Sequence, residues 1–73
     1  MTRGGISQED AEEKARERLI SETGWGRWEV FYKSSGTVNW IFKFRGGPGE
    51  LERVYLVWVD RKEGNFNKFD QLK

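Results

Sequence analysis

Three segments in the second part of the chain alternate apolar and polar positions with the period of two that is typical of β-strands. They span residues 28–33, 37–45 and 51–61. The alternation predicts one face that forms the core, made of Val30, Tyr32, Val38, Trp40, Phe42, Phe44, Val54, Leu56 and Trp58. The side chains between these positions are predicted to point outward, away from the core.

The predicted outward face combines an apolar, aromatic middle with a mostly basic margin. Its candidate partner-binding residues are Phe31, Ile41, Lys43, Arg45, Arg53, Tyr55, Val57, Val59 and Arg61. Arg27 and Lys33 extend the basic margin, and Glu29 is its main acid. An apolar centre inside a polar rim is typical of an interface between proteins.

The chain before these segments predicts a helix over residues 7–23. Ser7 is a favoured N-cap residue with acids following it, and Gly24 suits the left-handed conformation that ends many helices. Helical spacing predicts a narrow apolar stripe made of Ala11, Ala15 and Leu19 and widened by Ile20. Small residues in this stripe would let the helix lie close to a sheet crowded with rings.

Turn signals at 34–36, 46–49 and 62–65 separate the strands. Residues 66–72 predict a fourth, weaker strand, in which Phe66 and Phe69 lie on opposite faces unless a bulge intervenes. The expected fold is α+β, with one N-terminal helix packed on a curved antiparallel sheet of three to four strands in an α-β-β-β-β meander. All 73 residues are predicted to form one domain: a flexible lead (1–6), the helix (7–23) and the sheet (27–72).

The composition excludes several classes of chemistry. The chain has no Cys and no His, which excludes the usual zinc sites, Ser-His and Cys-His nucleophilic systems and the commonest general base near neutral pH. We therefore predict no enzyme, no cofactor, no metal site and no small-molecule substrate. No apolar run approaches the ~20 residues of a membrane span, and the first residues lack an export signal. We expect a soluble chain without a membrane partner, and its compartment is not assigned.

Three further groups of residues suggest sites, but each has a simpler structural interpretation. The glycine-rich segment 46–49 is followed by a predicted strand rather than the helix that a phosphate loop requires, so a hairpin loop is expected. Trp25, between two glycines, is expected to cover the end of the core. Asp60, Glu63 and Asp70 lack the spacing of a calcium loop and are expected to be solvated turn carboxylates.

The formal net charge of +1 hides a segregation of charge along the chain. Residues 7–22 carry six acids and three bases, whereas the remainder carries ten bases and six acids. An acidic helix and a basic sheet leave three interpretations of the outward face: a solubilising surface, a homodimer interface, or a site for single-stranded nucleic acid. The homodimer would oppose two basic rims, and the low net charge makes nucleic acid the less expected partner.

The third predicted strand and the turn that follows it resemble part of a known family. After a helix and two strands comes the segment Val54-Tyr55-Leu56-Val57-Trp58-Val59-Asp60-Arg61-Lys62-Glu63-Gly64. It resembles the PepSY family, whose domains close with a strand of the form aromatic-x-Val-Asp-x-x-x-Gly. The resemblance implies a cystatin-like helix-on-sheet fold and a secreted module that restrains proteases.

The agreement among cap, helix stop, core sizes and turns is typical of a sequence written to specify a fold. We therefore expect a designed or engineered α+β scaffold without a catalytic role, able to self-associate through the outward face. The alternatives are a PepSY-like inhibitory or binding module and, after it, a single-stranded nucleic-acid-binding module.

Overall fold

The computed structural model describes residues 5–47 and 52–73, which form one helix and one four-stranded sheet. The elements are α1 (Gln8–Thr23), β1 (Glu29–Ser35), β2 (Asn39–Gly46), β3 (Arg53–Asp60) and β4 (Phe66–Gln71). Neighbouring strands pair antiparallel in the order β1-β2-β3-β4, so the sheet is open with β1 and β4 at its edges. The predicted α-β-β-β-β meander and its fourth strand are confirmed. The predicted lead lies mostly outside the described residues, as does most of the 46–49 loop.

Local backbone chemistry sets both ends of α1. Ser7 is extended (φ −75°, ψ 164°), and its Oγ accepts a hydrogen bond of 3.1 Å from the backbone N–H of Asp10. At the other end Gly24 is left-handed (φ 76°), and its N–H donates to the carbonyl of Ile20 at 2.8 Å. These contacts satisfy backbone groups that a helix end otherwise leaves without partners.

The helix lies on one face of the sheet, which we call the inner face. Ala11, Ala15 and Leu19 are fully buried against it, as the sequence predicts. Ile20 is 38% exposed, so the prediction that it widens the stripe is wrong. Ile20 is rotated about 100° from Leu19 around the helix axis, which carries it off the narrow contact. The sheet side of the core is made of Trp28, Phe42, Phe44, Val57 and Val59.

The pairing of β2 with β3 determines which side of β3 faces the helix. Phe42 lies opposite Val57 and Phe44 opposite Tyr55, and directly opposed residues in an antiparallel pair share a face. The predicted core positions Val54, Leu56 and Trp58 are therefore wrong, because they lie on the other side of the sheet. Both sides of β3 are apolar, and the smaller valines fit beneath the closely packed helix. The alternation in β3 gave no basis for choosing between its two faces.

Bulges in both edge strands change which side chains face the helix. The register of β1 shifts between Val30 and Tyr32, which turns Tyr32 outward and leaves it 45% exposed. The prediction of Tyr32 in the core is therefore wrong. Val38 is also wrongly placed in the core, since it precedes β2 and is 55% exposed. In β4 the register shifts opposite Trp58 and Val59, so that Phe66 and Phe69 both pack against the core.

Charged side chains hold the helix to both edge strands. Glu12 lies 3.2 Å from both Arg16 and Lys33, which joins α1 to β1. On the opposite side, the Arg18 guanidinium lies 5.2 Å from the ring centroid of Phe66 and 5.5 Å from that of Phe69. Single contacts of these kinds contribute only about 0–1 kcal/mol when exposed. Together they restrict rotation of the helix on the sheet.

We predict that Ala15→Leu destabilises the fold by about 1–3 kcal/mol, because Ala15 is fully buried and added methylenes would separate helix and sheet. Urea unfolding followed by circular dichroism measures the change. Ser21→Leu, at an exposed helix position, is the control and should stay within about 0.5 kcal/mol of the parent. An unchanged or raised stability of the Ala15 variant would contradict this placement of the helix.

We predict that Gly46→Ala also destabilises, by about 1–3 kcal/mol. A Cβ at Gly46 would lie 2.6 Å from the backbone oxygen of Arg27 and 3.0 Å from Cε3 of Trp28. At Gly26 a Cβ would meet nothing within 4 Å, so Gly26→Ala is the matched control and should be neutral or slightly stabilising. Thermal melts of the two variants compare them directly, and equal midpoints would contradict the close approach of residues 27–28 to β2.

Candidate functional site: the outer sheet face

The sheet surface opposite α1 is the outer face. Strand register and side-chain contacts place on it a set of apolar, aromatic and charged residues: Phe31, Tyr32, Ile41, Lys43, Arg45, Val54, Leu56, Trp58, Lys68 and Asp70. Glu29 and Asp60 lie at its margins, opposite Arg45 and Asn39 respectively. No secondary-structure element among the described residues packs over this face, which leaves Phe31 and Tyr32 exposed and its other apolar side chains half-buried.

Only part of the candidate face predicted from the sequence is brought together here. Phe31, Ile41, Lys43 and Arg45 lie on the outer face. Tyr55, Val57 and Val59 do not, and their prediction as outward residues is wrong. Both valines are fully buried under the helix, and the Tyr55 ring meets that of Trp28 edge-on at 5.4 Å.

Arg53 of β3 and Arg61, which follows β3, also lie on the inner side of the sheet. Arg53 lies opposite Gly46 and shares the side of Phe44 and Val57, and Arg61 follows β3 and lies over the Trp40 ring. Both were predicted on the outward face, and both predictions are wrong for the same reason as those for the valines. The outer face therefore loses two of its expected bases.

Sequence reasoning missed the β3 and β4 residues of the outer face. Val54, Leu56 and Trp58 were assigned to the core, and Lys68 and Asp70 were not assigned to a face. The size difference between Trp58 and its neighbours Val57 and Val59 is a signal that could have found the correct side, because a large ring does not fit where a helix approaches closely. No comparable feature of the sequence indicates the bulge in β1 that exposes Tyr32.

On the outer face, a charged side chain lies over each of three aromatic rings. Lys43 Nζ lies 5.0 Å from the Tyr32 ring centroid, and Arg45 Cζ lies 5.6 Å from that of Phe31. Lys68 Nζ lies 5.4 Å from the centroid of Trp58. Such contacts place the charged group itself over part of each ring. Phe31 is still 47% exposed.

The charges of the outer face are balanced rather than basic. Arg45 pairs with Glu29 at 3.1 Å, and Lys68 pairs with Asp70 at 3.1 Å. With Lys43 and Asp60 included, the face and its margins hold as many acids as bases. The expected basic rim is thus corrected to a mixed one.

Two indole nitrogens lack hydrogen-bond partners among the described residues. They are Nε1 of Trp25 and of Trp58, and both atoms are buried. Trp25 is half-buried and packs against the core, which agrees with its expected structural role. Trp58 occupies the outer face, where its N–H is shielded from water even though the face is open.

The three acids considered as a cation site behave differently from one another. The Asp60 carboxylate accepts from the N–H groups of Lys62 and Glu63, and Asp70 pairs with Lys68. Within residues 5–47 and 52–73, no group of three or more acids stands close enough to hold a metal ion. Over the same residues, no helix is long and apolar enough to span a membrane.

Compared with family models, curated proteins and solved structures, the chain matches none of them. The PepSY resemblance and the designed origin therefore stay predictions, and the function is argued from the geometry of the two faces.

We predict that Val57→Thr destabilises by about 1–3 kcal/mol, because its hydroxyl would be buried beneath α1 without a partner. Val54→Thr, the same change on the outer face, should stay within about 0.5 kcal/mol. Urea unfolding of the two variants measures the difference. The reverse order of stabilities would show that the faces of β3 have been assigned the wrong way round.

Proposed function

We propose that this chain is a non-enzymatic interaction domain that pairs with a second copy of itself through the outer face. The observation that carries the proposal is an aromatic and apolar face that no element covers, exposed at Phe31 and Tyr32 and half-buried at its centre, whose surrounding charges balance. An apolar centre with a polar rim is the usual anatomy of an interface, and in a twofold dimer the same patch must complement itself.

The positions of the charges support self-pairing. Lys43 lies on β2, a central strand, and Asp70 lies on the edge strand β4; both are register partners of Leu56 on β3. A twofold axis parallel to the strands would lay the β1–β2 half of one copy over the β3–β4 half of the other. Lys43 would then lie over Leu56 of the second copy, one strand away from Asp70 of that copy, while Ile41 would lie over Trp58.

The bulged edge strands favour association through the outer face rather than through the edges of the sheet. Both edge strands contain bulges, at Phe31 in β1 and at Asn67 in β4. Bulges interrupt the row of backbone groups that an added strand needs, and natural sheets use them to block edge-to-edge pairing. Stacking of faces does not depend on those backbone groups.

Nucleic acid is the weaker alternative. A single-stranded binder needs bases to stack on rings and a continuous path of free positive charge for the phosphates. Here Arg45 and Lys68 already pair with acids, and Arg53 and Arg61 lie on the other side of the sheet. Protease restraint by a PepSY-like module has no contact in this structure that favours it.

Sedimentation velocity over a wide range of protein concentration tests the proposal. The parent chain should pass from monomer to dimer as concentration rises, and Leu56→Asp, which places a charge at the centre of the outer face, should remain monomeric. Circular dichroism must show that this variant is folded. A parent chain that stays monomeric at every concentration would contradict the proposal, as would equal dimerisation of the folded Leu56 variant.

A charge exchange tests the orientation of the two copies. Lys43→Asp and Asp70→Lys should each weaken dimerisation by about five- to tenfold, and the double variant should recover most of the loss. Lys62→Asp, on a turn outside the outer face, is the control for net charge. Recovery that fails in the double variant would reject the twofold arrangement. Binding of a single-stranded oligonucleotide that exceeds self-association would favour the alternative partner.

A further inference from the structure

A second surface feature lies at the end of the sheet, away from the outer face. It is a depression of about 540 Å³ lined by Gly5, Ile6, Thr37, Trp40, Arg61 and Lys62. Three parts of the chain meet there: the residues that lead into α1, the β1–β2 turn and the β3–β4 turn. Ile6 and Trp40 supply apolar lining, and the side chains of Thr37, Arg61 and Lys62 carry hydrogen-bond donors.

Hydrogen bonds between these three segments fix the walls of the depression. The N–H of Ile6 donates to the carbonyl of Arg61 at 2.9 Å, and the carbonyl of Ile6 accepts from Trp40 Nε1 at 3.0 Å. The N–H of Arg61 donates to the carbonyl of Val38 at 2.9 Å. The depression is therefore formed before any ligand arrives, which lowers the entropy cost of binding.

The Arg61 guanidinium is held in one orientation inside this frame. Its Cζ lies 4.4 Å from the Trp40 ring centroid, and its Nη1 donates to the carbonyl of Gly36 at 2.8 Å. The hydrogen bond uses one of the N–H groups of the guanidinium. The plane still has further N–H donors to offer to an acceptor in the depression.

No acid among the described residues forms an ion pair with Arg61 or Lys62. Across residues 5–47 and 52–73, no carboxylate lies within 4.0 Å of the charged nitrogens of Arg61 or Lys62. The two acids nearest in sequence are engaged within their own turn. Asp60 accepts from the N–H groups of Lys62 and Glu63, and Glu63 accepts from Asn65 Nδ2 at 3.2 Å. The contrast with the paired bases of the outer face is the basis of the inference.

We propose that the depression binds a small organic carboxylate whose apolar or aromatic body contacts Ile6 and Trp40. A planar guanidinium with parallel N–H groups matches a carboxylate in a two-point hydrogen bond, and Lys62 adds a second positive charge. The Thr37 hydroxyl is a further donor at the rim. A fully ionic ligand such as free phosphate would leave the apolar walls without contacts, so the carboxylate is expected to bind better.

The proposal is independent of self-association. Trp40 and Arg61 lie on the inner-face side of the sheet, beyond the start of α1, whereas the dimer is proposed on the outer face. A ligand in the depression would not be displaced by a second copy stacked on Trp58. Either proposal can fail without affecting the other.

Two-dimensional NMR of the ¹⁵N-labelled full chain tests the proposed carboxylate site, with 3-phenylpropionate as the probe. The indole Nε1–H of Trp40 and the Nε–H of Arg61 should shift in a saturable way. The alcohol 3-phenylpropan-1-ol, which keeps the ring and lacks the charge, should cause no saturable shift, and inorganic phosphate should bind more weakly. Equal response to the alcohol, or tighter binding of phosphate, would overturn the assignment of the ligand class.

Variants separate a specific site from general attraction of anions. Arg61→Gln should weaken binding of 3-phenylpropionate by about tenfold or more. Lys62→Gln, which leaves the contacts of Arg61 intact, should weaken it by about two- to fourfold. Arg53→Gln removes the same charge from the opposite end of β3 and should leave the affinity unchanged. Losses of similar size in the Arg53 and Lys62 variants would overturn the proposal, even if the Arg61 variant proved unstable.

Discussion

The antiparallel register between β2 and β3 is the constraint on which the other features of this protein depend. With Phe42 opposite Val57, the helix covers a floor of two phenylalanines and two valines, and its small residues can approach closely. A shift by one residue would put Trp58 and Leu56 under the helix instead. The stripe of Ala11, Ala15 and Leu19 would then meet a larger ring, and the layers would separate. The composition of the outer face is thus a consequence of what fits beneath the helix.

The two edge bulges adjust the pattern that this register sets. In β1, the extra residue returns Lys33 to the inner side, where it pairs with Glu12, and turns Tyr32 outward. In β4, the bulge brings Phe66 to the same side as Phe69, and Arg18 contacts both rings. Each bulge therefore supplies a contact between an edge strand and the helix. These edge contacts add to the main attachment of the helix, which is the burial of Ala11, Ala15 and Leu19 against the central strands.

Local chemistry made α1, its caps and the strand order predictable. Ser7 and Gly24 act within a few residues of their own positions, and their geometry follows from residue type. The faces of β3 were not predictable in this way, because Tyr55, Val57 and Val59 are about as apolar as Val54, Leu56 and Trp58. That choice depends on the space beneath the helix and on the bulges. The candidate face was accordingly right for β2 and for Phe31, and wrong for β3.

The two proposed surfaces differ in how their charges are compensated. On the outer face Arg45 and Lys68 pair with acids of the same face, so desolvating it would bury pairs rather than isolated charges, which is the less costly case for an interface. At the end of the sheet Arg61 is oriented by a ring and a carbonyl, neither of which neutralises it. An interface between copies would have to desolvate that charge without compensation, whereas a carboxylate would compensate it. The pairing of charges therefore separates a surface suited to a second copy from one suited to a small anion.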